Sequence, residues 1–304
     1  MNKIIEIKNL KKYFKEVKAV DDISFSVKKG ELFAFLGLNG AGKSTTINII
    51  CNALSKDSGE VLIDGLSIDK DMRKIKPMLG VVFQNSVLDE KLTVYENLKY
   101  RASLYDLSEM EFRDSLKFLS KRLEFEDILN RQICKLSGGQ KRRIDIARAL
   151  IHSPKILILD EPTTGLDPKT RILVWDLIDE LRVDKELTVL LTTHYMEEAS
   201  EADYVVIIDS GKVVASNTPV KLKNAYAYDF IKLYEYDEKI LEKLKRSKLK
   251  YNVFERYIEI QFKNIEKAKE FLVENNNLII DFEVVKGKMD NVFLNVTGKV
   301  LKEF

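Results

Sequence analysis

The sequence has few cysteines and almost no net charge. Its two cysteines, Cys51 and Cys134, lie far apart and fit no metal-binding spacing. They suit buried thiols in a reducing compartment better than a disulfide framework. The 50 Lys and Arg residues nearly balance the 48 Asp and Glu residues, for a net charge of +2. This balance gives no overall electrostatic footprint for nucleic-acid binding.

Long hydrophobic runs are also missing. No uncharged apolar run approaches the roughly 18 residues that a membrane-spanning helix needs. The first residues, MNKIIEIKNL, lack the apolar core of a signal peptide. If the protein acts at a membrane, we therefore expect another chain to supply the membrane-spanning part.

At 304 residues, the chain exceeds the usual size of one domain, and its patterns predict two. Alternating residues from Ile4 to Val27 predict an antiparallel β layer. The later apolar runs ELFAFLG, KILILD and LTVLLTTH predict buried parallel strands. Capping boxes at TVYE and SEME predict a helical insert, which makes residues 1–220 a P-loop-type α/β domain with a helical subdomain at about 88–150.

The rest of the chain, residues 221–304, predicts a small α+β domain. TPVKLKN, from Thr218, is interpreted as the linker. After it the pattern is strand, helix, strand, strand, helix, strand, which is the ferredoxin-like order βαββαβ. A last helix is predicted over MDNVFLNVTG, with Gly298 as its cap.

One motif has the spacing of a phosphate-binding loop. In GLNGAGKST, Gly37 is followed after four residues by Gly42, Lys43 and Ser44. Glycines let backbone N–H groups turn toward an anion, and the following helix adds its positive N-terminus. The candidate ATP-binding residues of this loop are Gly37, Asn39, Gly40, Gly42, Lys43, Ser44 and Thr45.

The run ILILDEP supplies two carboxylates at the end of a predicted buried strand. Asp160 is a candidate Mg²⁺ ligand together with Ser44. Glu161 is a candidate general base that orients the attacking water. A simple turn after a strand is the other interpretation, but turn chemistry does not require a P-loop earlier in the same sheet.

A second helix start resembles an anion site. In LSGGQKRR, Ser137 and Gln140 form a capping box, which by itself requires only a helix from this point. Gly138 and Gly139 weaken that helix by up to about 1 kcal/mol each relative to Ala, yet they bare its N–H groups. Their presence favours the close approach of something negative.

With LSGGQ the sequence resembles the nucleotide-binding subunits of ATP-binding cassette transporters, from about Ile4 to Leu222. In that family two copies pair head to tail, and each signature motif closes on ATP held by the other copy's P-loop. The resemblance implies that Ser137, Gly138, Gly139 and Gln140 act on a partner's ATP. It also implies an active ATPase that uses ATP and Mg²⁺ and a homodimer with two composite sites.

The same resemblance assigns four further residues. It implies that Tyr13 stacks on adenine, that Gln84 senses Mg²⁺, and that Asp167 belongs to the loop linking the two sites. It implies that His194 contacts the γ-phosphate, with Glu161 as the base. His152 lies near a helix end and is interpreted as structural.

The segments TTGLDPKTR and MDNVFLNVTG resemble ATPase subunits of the drug, antibiotic or sodium efflux type. The resemblance implies export through a separate permease that contacts Gln84, Asn85 and the following SVLDEKLTVYENL segment, and a cytoplasmic location on the inner face of the membrane. A soluble cassette ATPase acting on ribosomes or nucleic acid is the alternative. One cassette and a short insert argue against it. For the C-terminal domain, dimer support, effector sensing and lipid contact through KLKRSKLK stay open.

Overall fold

The computed structural model describes residues 2–298, apart from the side chain of Lys185. The chain divides into two compact units between Val214 and Ala215. The sequence predicted a boundary between residues 220 and 221, slightly later. Of the predicted C-terminal domain, residues 299–304 lie outside the described residues. In the described part, no helix is both long and apolar enough to cross a membrane.

The first unit combines two sheets with helices. Its strands are β1 (Lys3–Phe14), β2 (Val17–Lys28), β3 (Leu32–Leu36), β4 (Ser58–Ile63), β5 (Leu66–Ser67), β6 (Leu79–Val82), β7 (Ile156–Asp160), β8 (Thr188–Thr193), β9 (Tyr204–Asp209) and β10 (Lys212–Asn217). Its helices are α1 (Lys43–Ile50), α2 (Met72–Ile75), α3 (Val94–Ser103), α4 (Glu109–Arg122), α5 (Gly138–Leu150), α6 (Pro168–Lys185) and α7 (Met196–Ser200). Strand β10 continues past the boundary between the units.

The two sheets match the predicted layers. Within residues 2–298, the order β2-β1-β4-β5 forms an antiparallel sheet, and β10-β9-β3-β8-β7-β6 forms the larger one. Strands β3, β7 and β8 are buried along their whole length and pair in parallel, as unbroken apolar runs indicate. A continuous core that includes Ile5, Phe33, Ile47 and Ile158 joins both sheets and α1.

Strand register brings three chain segments to one edge of the larger sheet. Leu36, at the end of β3, lies opposite Thr193. Asp160, at the end of β7, lies opposite Thr192. The loop after Leu36, the residue after Asp160 and the residue after Thr193 therefore meet at the carboxyl edge, where open α/β sheets bind their ligands.

The predicted helical insert contains α3, α4 and α5. Each begins with a capping box: Thr93 with Glu96, Ser108 with Glu111, and Ser137 with Gln140. In each box the cap hydroxyl accepts from the third helical N–H and the acidic or amide side chain accepts from the cap N–H. These three predictions are confirmed.

The second unit has the ferredoxin-like topology. Its elements are α8 (Pro219–Tyr226), β11 (Asp229–Tyr236), α9 (Lys239–Arg246), β12 (Tyr251–Val253), β13 (Ile258–Phe262), α10 (Ile265–Glu274), β14 (Ile279–Val285) and α11 (Met289–Thr297). The antiparallel order β12-β13-β11-β14 places the first and third strands of βαββαβ at the centre. Gly298 caps α11 in the left-handed conformation, at φ 68°.

The linker prediction at TPVKLKN is wrong, because this segment begins helix α8. The Thr218 hydroxyl accepts a hydrogen bond from the N–H of Lys221, and Pro219 occupies the first helical position. Both are helix-start signals. Helix α8 packs on α11 within the second unit.

Candidate functional site

The P-loop is shaped by close backbone approaches that only glycine permits. A Cβ on Gly37 would lie 2.6 Å from the carbonyl oxygen of Ile208. A Cβ on Gly42 would lie 2.2 Å from the carbonyl oxygen of Ala19, and Gly42 has φ 108°. Gly42 is also the cap of α1, so no cap side chain covers the N–H groups of the first turn. The loop leaves that helix start suited to bind an anion.

The Lys43 side chain folds back over this loop. Its Nζ donates to the carbonyl oxygens of Gly37 at 2.8 Å and Leu38 at 3.2 Å. It also lies 3.6 Å from Oε1 of Glu161. Burial lowers the pKa of Lys43, and the carboxylates of Glu161 and Asp160 oppose this effect. The ammonium group is thus held between the loop carbonyls and a buried carboxylate.

The two predicted carboxylates lie side by side but face different partners. Asp160 Oδ1 accepts from the Ser44 hydroxyl at 3.3 Å and from the Thr192 hydroxyl. Glu161 Oε2 accepts from Nε2 of Gln84 at 3.3 Å. Glu161 Oε1 lies 3.3 Å from Nδ1 of His194, with an angle too poor for a hydrogen bond. The structure therefore brings four other predicted side chains close to Glu161 or Ser44. They are Lys43, Gln84, Asp160 and His194.

The oxygen donors at this edge are of the kind that Mg²⁺ prefers. The Ser44 hydroxyl and the Asp160 carboxylate lie within 3.3 Å of each other, and the Gln84 amide is adjacent to Glu161. Among the described residues, no group of three or more His, Cys, Asp and Glu side chains is arranged to hold a metal. A sparse donor set suits Mg²⁺, which usually keeps waters and takes substrate phosphates as ligands. The predicted residues fit this ion.

A cavity of about 740 Å³ opens beside the P-loop. Phe14 lines it and is 46% exposed, whereas Tyr13 is not among the lining residues. The Tyr13 hydroxyl instead donates to Asp21 at 2.6 Å. The cavity is lined by Phe14, Glu16, Val17, Lys18, Ala19, Asn39, Gly40, Gly42, Lys43, Ser44, Thr45, Gln84, Glu161 and Ser210. The aromatic residue that lines the cavity is thus Phe14, which directly follows Tyr13, the residue that the family resemblance indicated.

The signature residues lie apart from this cavity. Ser137 Oγ accepts from the N–H of Gln140 at 3.3 Å, and Gln140 Oε1 accepts from the N–H of Ser137 at 3.0 Å. A Cβ on Gly138 would meet nothing within 4 Å, and one on Gly139 would lie 3.5 Å from Asp167 Oδ2. None of residues 137–140 appears among the described residues that line the P-loop cavity.

Asp167 caps helix α6 next to the signature. Its carboxylate accepts from the backbone N–H of Thr170 at 3.0 Å and from the Thr170 hydroxyl at 2.7 Å. These hydrogen bonds hold the pKa of Asp167 below its usual range. The structure thus places the predicted dimer-loop residue beside Gly139, with its charge engaged by the helix start.

Two residues of this region were missed by sequence reasoning. Thr192 donates to Asp160, and its hydroxyl oxygen accepts from the N–H of Glu161 at 3.2 Å. Its position two residues before His194 was an available signal. Arg142 is 8% exposed, and its guanidinium contacts the backbone at Asp160 and Glu161. A charged residue on the apolar side of a predicted helix was the signal there.

A P-loop, a buried strand ending in Asp-Glu and a polar edge formed by parallel strands define a P-loop nucleoside triphosphatase. The ABC transporter family model matches residues 20–164. The chain is 34% identical to the linearmycin resistance ATP-binding protein LnrL of Bacillus subtilis (strain 168), over 99% of this chain and 100% of that protein. It is 37% identical to the daunorubicin/doxorubicin resistance ATP-binding protein DrrA of Streptomyces peucetius, over 77% of this chain and 71% of that protein.

A solved structure shows the same fold in a nucleotide-bound form. It is the dimeric, post-hydrolysis ATP-binding cassette MJ0796 with ADP and Pi, at TM-score 0.64 and 30% identity, over 71% of this chain and 98% of that one. The chain belongs to the ABC transporter family, as an ATP-binding subunit with ATPase activity.

Proposed function

We propose that this chain powers export of a drug-like or antibiotic substrate through a separate membrane-spanning permease, and that it pairs with a second ATPase subunit when ATP binds. The observation that carries the proposal is the buried carboxylate of Glu161, held among Lys43, Gln84 and His194 beside the P-loop. LnrL and DrrA are named for resistance to antibiotics, which supports the export role. In this proposal the chain sits at the inner face of the membrane through its permease.

The roles of the residues follow from their positions. The backbone of the P-loop and Lys43 bind the β- and γ-phosphates of ATP. Ser44, Asp160 and Gln84 would hold Mg²⁺, which when bound neutralises charge on the phosphate oxygens. Glu161 accepts a proton from the attacking water. His194, whose Nδ1 lies beside Oε1 of Glu161, contacts the γ-phosphate.

The adenine contact is proposed for Phe14 in place of Tyr13. Phe14 presents an exposed ring to the cavity wall, next to Val17 and Lys18. The Tyr13 hydroxyl is bonded to Asp21. Base–aromatic stacking requires an accessible face, which Phe14 offers.

The signature acts in trans in this proposal. Ser137, Gly138, Gly139 and Gln140 would close on ATP bound to the P-loop of a second copy, with Asp167 next to the junction. The open space around Gly138 and the lack of a side chain on Gly138 and Gly139 support this, since an anionic group can approach there. Two copies related by a two-fold axis then form two equivalent sites.

A groove of about 590 Å³ is the proposed contact with the permease. Its walls combine apolar side chains, including Phe83 and Leu104, with the cations Arg73 and Arg101. We expect a short permease helix with an apolar face and an acidic side chain. The segment expected from the sequence, residues 84–98, is not among the described residues that line this groove, whereas Phe83, one residue before that segment, borders it.

The proposal is tested with Glu161→Gln. General-base help is worth about 10²- to 10⁴-fold in rate, so hydrolysis should fall by that order while ATP binding persists and dimers accumulate. The tagged variant, held with ATP and Mg²⁺, is purified from detergent-solubilised host membranes. A multi-spanning membrane protein in equal stoichiometry supports the exporter role.

Lys43→Ala is the matched control, because it weakens phosphate binding and should capture less of the same partner. Ribosomes or nucleic acid without a membrane protein would overturn the export proposal and leave the ATPase intact. Normal hydrolysis by Glu161→Gln would instead remove Glu161 from the role of base. No feature of the described residues favours the soluble alternative, and we do not propose it.

A further inference from the structure

Helix α5, which begins with the signature, carries three charged residues along its buried face. Arg142, Asp145 and Arg148 follow one another at intervals of three residues, so they lie on one side of the helix. Arg142 is 8% exposed and Asp145 is 2% exposed. Burying charged groups is unfavourable unless they are hydrogen-bonded or paired, so each of these side chains needs specific partners.

Arg142 finds its partners in two separate segments of the catalytic site. Its guanidinium donates to the carbonyl oxygens of Asp160 at 3.0 Å, Glu161 at 2.9 Å and Pro162 at 2.8 Å. It also donates to the carbonyl oxygen of Phe83 at 2.6 Å, one residue before Gln84. One planar group therefore joins the backbone of the proposed base to the backbone that carries Gln84.

The other two charges hold the same segment on both sides of Gln84. Arg148 donates to the carbonyl oxygen of Val81 at 3.0 Å. On the other side of Gln84, the polar groups of Ser86 and Val87 face Asp145 and oppose the rise in the pKa of Asp145 that burial causes. Helix α5 thus holds residues before and after Gln84.

The backbone held by Arg142 is in an unusual conformation. Glu161 has φ 48°, in the left-handed region that costs a glutamate conformational energy. Its N–H is bonded to the carbonyl oxygen of Thr192 at 3.1 Å, and its own carbonyl oxygen accepts from Arg142. Both sides of the strained residue are therefore fixed by hydrogen bonds.

We propose that Arg142 is a positioning residue for ATP hydrolysis, which orients Glu161 and Gln84 through their backbones and ties both to the helix that bears the signature. The inference rests on the proposed role of Glu161 as base. Arg142 lies about one helical turn from Gly138, so a shift of the signature end of α5 reaches the base without any intervening loop.

The test compares Arg142→Lys and Arg142→Met with the unchanged protein. Lys keeps the charge but loses the planar fork, and Met keeps much of the volume without the charge. Small misplacements of a catalytic group cost up to about 100-fold in rate, so we expect kcat to fall about 10- to 100-fold, more for Met than for Lys. The Kd for ATP, measured by displacement of a fluorescent nucleotide, should stay within about twofold, because the P-loop is untouched.

Arg143→Lys is the matched control on the same helix. Its guanidinium donates to the carbonyl oxygens of Leu123 at 2.8 Å and Glu124 at 2.6 Å, which lie in the helical insert. This variant loses guanidinium hydrogen bonds to backbone carbonyl oxygens, as Arg142→Lys does, but none to the catalytic segments. We expect a lower unfolding temperature with kcat within about twofold of the unchanged protein.

A double variant separates positioning from general stabilisation. If Arg142 acts through Glu161, adding Arg142→Lys to Glu161→Gln should lower kcat by less than about twofold more, since the base is already absent. A further fall in kcat as large as the one that Arg142→Lys causes alone would overturn the proposal. So would equal losses in kcat and ATP affinity, an Arg143→Lys effect as large as that of Arg142→Lys, or failure of both Arg142 variants to fold.

The outcomes for Arg142 and for the base are distinguishable. Normal hydrolysis by Glu161→Gln alone refutes the base assignment, whatever the Arg142 variants do. A slow Glu161→Gln together with normal hydrolysis by Arg142→Lys and Arg142→Met refutes only the positioning role.

Discussion

Acid should destabilise the first unit through one half-buried histidine, His152. Its ring stacks on Tyr105 with centroids 3.9 Å apart, and its Nε2 lies 3.1 Å from the carbonyl oxygen of Leu79. Nε2 must therefore carry the proton of the neutral ring. Burial, with help from the positive charge of Arg101, lowers the pKa of His152 from 6.5 to about 4. The structural role predicted for this residue agrees with these contacts.

The size of the expected loss in unfolding free energy follows from the linkage between proton binding and folding. Between the unfolded and folded pKa values, the unfolded chain takes up a proton at His152 while the folded chain does not, so stability falls as the pH falls. Going from about pH 7.5 to about pH 5, the single site should remove about 2 kcal/mol from the free energy of unfolding. Below both pKa values the loss approaches about 3 kcal/mol.

The assay is urea unfolding of the unchanged protein and of His152→Gln, followed by fluorescence of Trp175. This tryptophan is the only one in the sequence and lies in the first unit, so it reports that unit's unfolding. Gln keeps a neutral donor for Leu79 but cannot titrate. All other ionisable groups are shared, so the variant should lose about 2 kcal/mol less than the unchanged protein between the two pH values. Equal losses would refute the reasoning.

Two further predictions concern the cavity and the groove. Phe14→Ala should raise the Kd for ATP about tenfold with little change in kcat, because stacking on a base is worth about 1–3 kcal/mol. Tyr13→Ala removes the other candidate ring together with its bond to Asp21 and should leave that Kd unchanged, and the reverse order in a binding titration would favour the original assignment to Tyr13. Leu104→Lys should reduce transport in vesicles that contain the permease, while ATP hydrolysis by the isolated chain persists. Tyr100→Lys is its control, since Tyr100 is similarly exposed but absent from the groove lining, and equal effects of both would argue against the groove.

Local patterns were sufficient for the βαββαβ part of the second unit and for the P-loop. Strand β11, from Asp229 to Tyr236, is the first strand of the predicted βαββαβ order, which folds into the expected sheet. The P-loop depends on short-range spacing, and buried apolar runs put Asp160 at a strand end. In such cases the residues that decide the structure are neighbours in sequence.

Contacts between distant segments escaped the same reasoning. The register of β1 on β2 shifts between Lys12 and Tyr13, so the face on which Phe14 lies does not follow from simple alternation. The contacts of Arg142 were not predictable, because Phe83 and Glu161 come together beside it only in the folded chain. The α8 helix start was visible at Thr218, but its amphipathic stretch was too short to outweigh the linker interpretation.

The left-handed backbone at Glu161 is unfavourable for folding, although the proposed chemistry requires a glutamate there. At φ 48° glycine or asparagine has the lower conformational energy, and a residue with a longer side chain is less favourable. Mutations that relax this position should therefore stabilise the protein and, given the proposed role of Glu161, slow hydrolysis while ATP still binds. If Glu161 is the base, as proposed, laboratory selection for thermal stability alone would favour substitutions at this position that also slow ATP hydrolysis.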